Sequence, residues 1–287
     1  MKMSTLLHLR IPFSFFLLPV FLFAFSVSEN ISITNFIIVA VALHVFLYPA
    51  SNGYNSYFDK DEESIGGLEH PPEVSKELYW YALAFDFAAI LLGIFIGSQF
   101  VTMLVLYGLV SKAYSHPFIR LKKMPYAGWF VAGFFQGYFT FIMVYLGLND
   151  LSFFEIFRIQ IQLPAILSSL LLWGSYPMTQ IYQHTEDKKR GDITISLKLG
   201  RLGTFHFTAV AFFIAAQGFL YFYYESYSIY HAVCYFVFLT PVLGYFGYWY
   251  FKSRKDVSEV NFTNTMRLNF ISALSLNLFF LCFYFFR

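Results

Sequence analysis

Two stretches of the chain repeat one pattern: Tyr48-Pro-Ala-Ser-Asn-Gly-Tyr-Asn-Ser-Tyr-Phe-Asp59 and Tyr176-Pro-Met-Thr-Gln-Ile-Tyr-Gln-His-Thr-Glu-Asp187. Tyrosine, proline, a hydroxyl residue, an amide, tyrosine, an amide and aspartate occur in both at the same spacing. Each copy ends a long apolar run and leads into a charged segment. Because buried amides and acids in an apolar chain need partners, the duplication predicts two halves of one polar site.

The composition is that of a membrane protein. Of the 287 residues, 58% are hydrophobic and only 13% are charged, whereas a soluble domain carries about 25% charged residues. The net charge of +2 says nothing about nucleic acid. No basic cluster is interleaved with aromatic residues in a soluble segment, so we expect no nucleic-acid partner. Cys234 and Cys282 lie in separate apolar runs without metal-type spacing, which is typical of small buried hydrophobic residues.

Apolar runs that could cross a bilayer, about 20 residues each, recur along the whole chain. Continuous runs without strict alternation favour helices, because a lipid-exposed backbone must pair internally. The first run follows Lys2 and Arg10 as in a signal peptide, but no A-x-A-like cleavage site follows, so we interpret it as a span. We therefore predict an all-α, polytopic membrane protein, one domain over residues 1–287. The nine expected spans are Ile11–Val27, Ile31–Ala50, Leu78–Gly97, Phe100–Tyr114, Tyr126–Leu148, Ile161–Met178, Thr204–Tyr223, Ser228–Phe251 and Leu268–Phe286.

The positive charges predict the orientation. With a cytoplasmic N-terminus, every lysine and arginine except Arg158 and Arg287 falls in a cytoplasmic segment or at a cytoplasmic span end. Cytoplasmic loops carry such an excess of basic residues. We therefore expect a multi-pass protein with its N-terminus and both acidic motifs on the cytoplasmic side, in the inner membrane if the source is bacterial.

The spacing within each copy predicts the chemistry of the site. In the first copy, four side chains step by three or four residues and so share one helical face: Asn52, Asn55, Asp59 and Glu63. The second copy repeats these steps with Gln180, Gln183 and Asp187. Oxygen ligands without His or Cys suit a hard cation, Mg²⁺ before Ca²⁺. Since Mg²⁺ is often held by one or two carboxylates plus phosphates, we predict a phosphate ester or diphosphate with a lipid-soluble remainder as the ligand.

Basic residues lie on the same side of the membrane as the acids. The connection between the fourth and fifth spans contains Arg120, Lys122 and Lys123. Arginine suits bidentate contact with phosphate, and lysine supplies a point charge. The alternative for each of them, as for Lys188, Lys189 and Arg190, is a charge that only fixes the topology.

These motifs resemble those of the UbiA family of intramembrane prenyltransferases. Asn55-Ser-Tyr-Phe-Asp59-Lys-Asp-Glu-Glu63 is similar to the first motif, NxxxDxxxD. Gln183-His-Thr-Glu-Asp187, with Gly191 and Gly200 after it, is similar to the second, DxxxD. Tyr114-Ser, Arg120 and Lys122 resemble the connection between them. The resemblance implies nine helices around a central cavity, with the two motif-bearing loops as a cap.

The resemblance also implies the site residues. Mg²⁺ would be held by Asn55, Asp59, Glu63 and Asp187. The same four residues would also contact an isoprenyl diphosphate, which Arg120 and Lys122 would steady. Beyond the resemblance, we expect four more residues to bind the diphosphate: Asn52, Gln183, Tyr114 and Lys189. Gln183 stands where the family has an acid, which leaves three alternatives: substitution by Glu186 or Asp192, one metal ion instead of two, or altered ionisation chemistry.

Three polar side chains lie within the predicted spans. Asp86 is a candidate catalytic group that accepts a proton or a hydrogen bond from the acceptor, or it is a carboxylate tied to a neighbouring helix. His44 and Gln136 are candidates for the acceptor side. For His44 the alternative is packing, and the glycines beside Gln136 also suit close helix contact.

We therefore predict Mg²⁺-dependent transfer of an isoprenyl group to a hydrophobic, aromatic acceptor such as a quinone or pigment precursor, with Asp59, Asp187 and Asp86 as catalytic residues. One alternative is a membrane terpene cyclase, which closes the cation on itself. Another is a lipid-phosphate binding protein without catalysis, which Gln183 makes conceivable. An ion-coupled transporter is disfavoured, because its acids would cluster near the bilayer midplane and only Asp86 lies there.

Overall fold

The computed structural model describes residues 1–29, 31–149, 151 and 153–287, and within them the protein is all helical. The helices are α1 Met3–Leu9, α2 Leu18–Ser26, α3 Ile33–Val41, α4 Tyr48–Asp59, α5 Leu78–Ile94, α6 Ser98–Ser115, α7 Pro125–Gly133, α8 Thr140–Leu148, α9 Ile159–Gln180, α10 His184–Arg190, α11 Ile195–Ser226, α12 Ile229–Lys255 and α13 Phe262–Phe286. The predicted all-α fold class is confirmed.

Several of these helices are long and apolar enough to cross a membrane. Five qualify among the described residues, namely Ile33–Asp59, Pro125–Leu148 and each of α11, α12 and α13. Met3–Phe16 and Leu18–Ser26, which meet at a 42° bend, make a sixth if they form one span. Helix α5 is apolar but shorter. The protein is thus an integral membrane protein, while the count of nine spans stays a prediction.

Consecutive helices pack side by side into a closed bundle. Helix α4 packs on α5, α5 on α6, α9 on α11, α11 on α12 and α12 on α13, and α13 returns to α2. On α2, the ring of Phe23 contacts those of Phe141, Phe219 and Phe280 at centroid distances of 5.3, 5.0 and 4.8 Å. These rings belong to α8, α11 and α13, so the apolar core joins distant parts of the chain around α2.

Two spans contain a π-helical turn. Ala42–Leu47 joins α3 to α4, and the N–H of Tyr48 donates to the carbonyl of Leu43, five residues earlier. This wider turn precedes Pro49, whose ring disturbs the regular hydrogen-bond ladder of a helix. Phe134–Phe139 joins α7 to α8. Here the Ser169 hydroxyl on α9 donates to the Gly133 carbonyl at 2.9 Å and accepts from the Tyr138 N–H at 2.8 Å.

The second π turn requires a glycine where it touches α9. A Cβ atom on Gly137 would lie 2.5 Å from the Cα atom of Ser169. Gly137→Ala is therefore expected to destabilise the protein by about 1–3 kcal/mol, because backbone must move to admit the methyl group. Thermal unfolding in detergent measures the effect. Gly247→Ala on α12 is the control, since nothing lies within 4 Å of its added Cβ; equal melting temperatures would contradict close packing at Gly137.

Candidate functional site

A cavity of about 360 Å³ lies inside the bundle, beneath the segments that contain the two repeats. One end is charged and includes Asp59, Lys122 and Asp187. The remainder is largely apolar, with Phe23 and Phe280 of the core among its walls. The cavity therefore joins a polar end that suits an anionic head group to an apolar space that suits a hydrocarbon chain.

The first repeat forms the helix that its spacing predicts. Asn52, Asn55 and Asp59 all lie on α4, and all three line the cavity. The Asn55 side-chain nitrogen donates to the Ser115 hydroxyl at 3.0 Å, so its oxygen is the atom left for a cation. The Asp59 carboxylate is only 4% exposed and pairs with Lys122.

Glu63 does not continue this row, contrary to the predicted shared face. Helix α4 ends at Asp59, and Lys60 adopts a left-handed conformation with φ 50°. The chain therefore turns away before residue 63, and Glu63 is an exposed partner of Lys189 at 3.0 Å. Asp61 lines the cavity instead, and its carboxylate pairs with Arg190.

The first repeat lies on one continuous helix, whereas the helix that contains the second repeat is interrupted. Helix α9 ends at Gln180, a 3₁₀ turn covers Ile181–Gln183, and α10 follows. Gln180, Gln183 and Asp187 nevertheless all line the cavity. The Gln183 side-chain nitrogen donates to the Ser64 carbonyl at 3.3 Å, which links the second repeat to the segment after the first.

The Asp187 carboxylate is buried and held on both oxygens. Oδ1 accepts from Arg190 at 3.0 Å, and Oδ2 accepts from the Thr194 hydroxyl at 3.0 Å. Burial raises the pKa of Asp187 to about 6, against the lowering effect of Thr194 and Lys122. A cation at the cavity would therefore compete with a proton for this carboxylate just below neutral pH.

Arg120 and Lys122 both lie at the charged end, but only Lys122 lines the cavity. Arg120 Nε and Nη2 donate to the two carboxylate oxygens of Asp192 at 3.1 and 3.0 Å. This bidentate contact raises the pKa of Arg120. Burial alone would raise the pKa of Asp192, yet the hydrogen bond from Arg120 and the nearby cations lower it. Arg120 thus directly stabilises the buried Asp192 carboxylate.

Tyr114 lines the cavity, as its predicted contact with an anion requires. Its hydroxyl pairs with that of Tyr176, the first residue of the second repeat. The Gln180 side-chain nitrogen also donates to the Tyr176 hydroxyl, at 3.2 Å. The two tyrosines thus connect α6 to α9 across the cavity wall.

Besides Glu63 and Arg120, three further candidates from the sequence do not line the cavity. Asp86 pairs with Lys112, whose ammonium lies 5.2 Å from the centre of the Tyr54 ring. This arrangement matches the alternative of a carboxylate tied to a neighbouring helix. His44 packs edge-on against Phe21 and Tyr48, and Lys189 is exposed on α10. Of the acceptor-side candidates, only Gln136 lines the cavity.

Arg10 lines the cavity, although its position in the sequence predicts no role in the site. Its guanidinium donates to the carbonyls of Gly66 and Asn52 at 3.1 and 3.3 Å, and Arg10 is 9% exposed. Its Nε atom is buried without a hydrogen-bond partner. The sequence signal is an arginine directly before Pro12 and an apolar run, and this pattern predicts only a charge that fixes the topology.

The charged end offers oxygen ligands for a hard cation. Asn55, Asp59 and Asp187 supply one amide and two carboxylates at the cavity wall. Within the described ranges, no three Asp, Glu, His or Cys side chains already converge closely enough to hold a metal alone. The set therefore fits a Mg²⁺ ion that takes its other ligands from a bound phosphate.

Comparisons with known proteins identify the family. A UbiA homologue from Archaeoglobus fulgidus bound to GPP and Mg²⁺ has 18% identity and a TM-score of 0.68, over 98% of this chain and 99% of that chain. The same homologue bound to DMAPP and Mg²⁺ has 18% identity and a TM-score of 0.68, over 99% of this chain and 100% of that chain. A structure concerning digeranylgeranylglyceryl phosphate synthase in membranes has 17% identity and a TM-score of 0.61, over 98% of this chain and 96% of that chain.

These identities establish similarity of fold alone. Comparison with curated protein sequences finds no significant match. The profile of the UbiA prenyltransferase family, however, matches residues 15–271, which is most of the chain. This protein therefore belongs to the UbiA prenyltransferase family.

Proposed function

We propose that this protein transfers an isoprenyl group from a prenyl diphosphate to a hydrophobic, aromatic acceptor, with Mg²⁺ as cofactor. The observation that carries the proposal is a cavity with acids and cations at one end and apolar walls beyond them. A prenyl diphosphate has the same division between a charged head and a hydrocarbon tail. The Archaeoglobus fulgidus homologue was solved with two such compounds and Mg²⁺.

Asn55, Asp59 and Asp187 are the residues that would hold Mg²⁺ in this site. When bound, the ion neutralises charge on the diphosphate and stabilises it as a leaving group. Lys122 and Arg10, which also line the cavity, supply fixed positive charge for the same anion. Tyr114 lies beside them as a hydrogen-bond donor.

The reaction begins when the allylic C–O bond breaks and its electron pair leaves with the diphosphate. The allyl cation is then held in an apolar cavity, where aromatic faces such as Phe23 and Phe280 stabilise positive charge. A carbon of the acceptor ring donates a π electron pair to form the new C–C bond, and the proton of that carbon passes to the released diphosphate. Gln136, in the π turn of the cavity wall, is our candidate contact for the acceptor.

The orientation of the protein is part of the proposal. Arg158 precedes α9 and Arg287 follows α13, so both lie at helix ends remote from the repeats. The other lysines and arginines lie at the repeat end or in its connections, which the positive-inside rule assigns to the cytoplasm. We propose that the N-terminus and both acidic motifs are cytoplasmic.

The test is release of inorganic diphosphate by the purified protein, with prenyl diphosphates of several lengths, with and without Mg²⁺ and aromatic acceptors. Release that needs Mg²⁺ and yields a prenylated acceptor supports the proposal. Cyclised product without an acceptor identifies a terpene cyclase. Binding of prenyl diphosphate without any release identifies a non-catalytic carrier.

The raised pKa of Asp187 predicts how metal affinity depends on pH. Between pH 7 and pH 5 a carboxyl with a pKa of about 6 becomes mostly protonated, so the apparent affinity for Mg²⁺ is expected to fall about tenfold. Titration calorimetry in the presence of inorganic diphosphate measures it. Asp187→Asn should flatten this part of the profile, and a variant profile as steep as that of the native protein would contradict the assignment.

A further inference from the structure

Arg190 lies between the acids of the two repeats. On α10, its Nη2 donates to Asp187 at 3.0 Å, its Nε lies 3.3 Å from Asp192, and its Nη1 pairs with Asp61. The three acid side chains are 6% exposed or less, and Arg190 is partly buried, at 17% exposure. One guanidinium thus bridges the segment after α4 and the segment around α10.

A second metal ion would need the same oxygens. A cation shared by both repeats must draw on carboxylates from both segments, and Arg190 already contacts Asp61 from the first and Asp187 from the second. The second repeat also has one acid fewer than the family motif, because Gln183 stands at the first acidic position. The side-chain nitrogen of Gln183 donates to the Ser64 carbonyl. Four carboxylates line the cavity, and each already forms an ion pair with a basic side chain: Asp59, Asp61, Asp187 and Asp192.

We propose that Arg190 is a built-in cation that takes the place of a second metal ion, so that the site binds one divalent ion per chain. The inference rests on the proposed function, and it assigns Arg190 as a positioning residue. A guanidinium is always charged and presents donors on three sides, which matches three surrounding carboxylates. It also holds the two segments together before any metal or substrate binds.

The contacts around Arg190 indicate a cation that stays in place, unlike a metal ion that can dissociate. Buried carboxylates without partners are costly. Without the guanidinium, Asp192 would keep Arg120 and Lys122, but Asp61 would lose its ion pair and Asp187 would keep only the Thr194 hydroxyl. These two acids must then gain another cation or protons. Gly191, in a left-handed conformation with φ 67°, ends α10 directly after Arg190. The Asp192 N–H then donates to the Asp187 carbonyl at 2.9 Å, which fixes both acids around the guanidinium.

The experiment is a count of bound Mn²⁺ by equilibrium dialysis and electron paramagnetic resonance, with inorganic diphosphate as the probe and the full chain in detergent. One Mn²⁺ per native chain is expected, and two in Arg190→Ala, because the freed carboxylates take up a second ion. Arg190→Lys should keep the count at one. Two Mn²⁺ in the native protein would overturn the proposal, as would an unchanged count in Arg190→Ala.

Lys189→Ala is the matched control, because Lys189 lies on the same helix and also reaches the first segment, through Glu63, but is exposed. Its Mn²⁺ count should equal that of the native protein. A second readout is amide hydrogen exchange without metal over residues 60–68 and 184–194. Faster exchange in Arg190→Ala than in Lys189→Ala supports the bridging role even if the alanine variant folds poorly with metal, and equal exchange contradicts it.

The outcomes also separate this inference from the proposed function. Diphosphate release together with two Mn²⁺ per native chain would leave the prenyltransferase proposal standing and overturn the role of Arg190. One Mn²⁺ per chain without any release of diphosphate would support the role of Arg190 and contradict prenyl transfer.

Discussion

Asp59→Asn is expected to lower the rate of diphosphate release about 10³-fold, which corresponds to near 4 kcal/mol of transition-state stabilisation. Asp59 is the acid of the first repeat that both lines the cavity and pairs with Lys122. The substitution removes the negative charge that would hold Mg²⁺ and takes from the Lys122 ammonium one of its two carboxylate partners, the other being Asp192 at 3.5 Å. The loss should appear in turnover at saturating substrate, because breaking the C–O bond adds further negative charge to the leaving group.

The rate is measured with the purified protein in detergent, beside its melting temperature. Asp256→Asn is the control, since Asp256 is an exposed acid between α12 and α13 and far from the repeats in sequence. Asp59→Asn should also weaken Mn²⁺ binding measured without turnover. A variant that keeps native turnover and native metal affinity would remove Asp59 from the proposed site.

Arg10→Gln is expected to lower kcat/KM about 10- to 100-fold, because a contact between a buried guanidinium and an anion contributes about 1.5–3 kcal/mol. Arg10 contacts two backbone carbonyls, and its buried Nε lacks a hydrogen-bond partner. A cavity residue whose charge forms no ion pair within the described residues is suited to the anion of the substrate. The effect should fall mainly on KM for the prenyl diphosphate, because the head group carries its charge before the reaction begins.

Arg10→Lys keeps the charge but not the two carbonyl contacts, so partial recovery of kcat/KM is expected from it. Arg254→Gln, an exposed arginine beside the ring of Tyr250, is the control for loss of a positive charge. If Arg10→Gln lowers only the melting temperature and leaves KM unchanged, Arg10 is a structural link between α4 and Gly66 and not a ligand of the anion.

The first repeat could be predicted well from the sequence because its spacing is enough to define a helical face. Asn52, Asn55 and Asp59 line the cavity as the steps of three and four require. The prediction fails at Glu63 because it assumed that the helix continues past Asp59. Lys60 has no sequence signal for the left-handed conformation that ends α4, since glycine or asparagine usually occupies such a position.

Residues whose partners are distant in sequence were harder to assign. The sequence allows two roles for the basic residues after Asp187, contact with phosphate or a charge that fixes the topology. The contacts of Arg190 with Asp61 and Asp192 correspond to neither role. Asp86 is a similar case. Its partner Lys112 lies on the next helix, and only the packing of α5 against α6 shows that the two charges meet.

The break in the second repeat has a consequence for binding measurements. Helix α10 has seven residues, and helices shorter than about 12 residues are marginal without tertiary contacts. Its order therefore depends on the ion pairs of Asp187, Lys189 and Arg190, and local opening of this segment has its own free energy. A ligand that contacts Asp187 binds the ordered form, so its apparent affinity includes the local folding equilibrium of α10. Substitutions far from the cavity that loosen α10 would thus mimic weak ligand contacts, and hydrogen exchange over α10 separates the two causes.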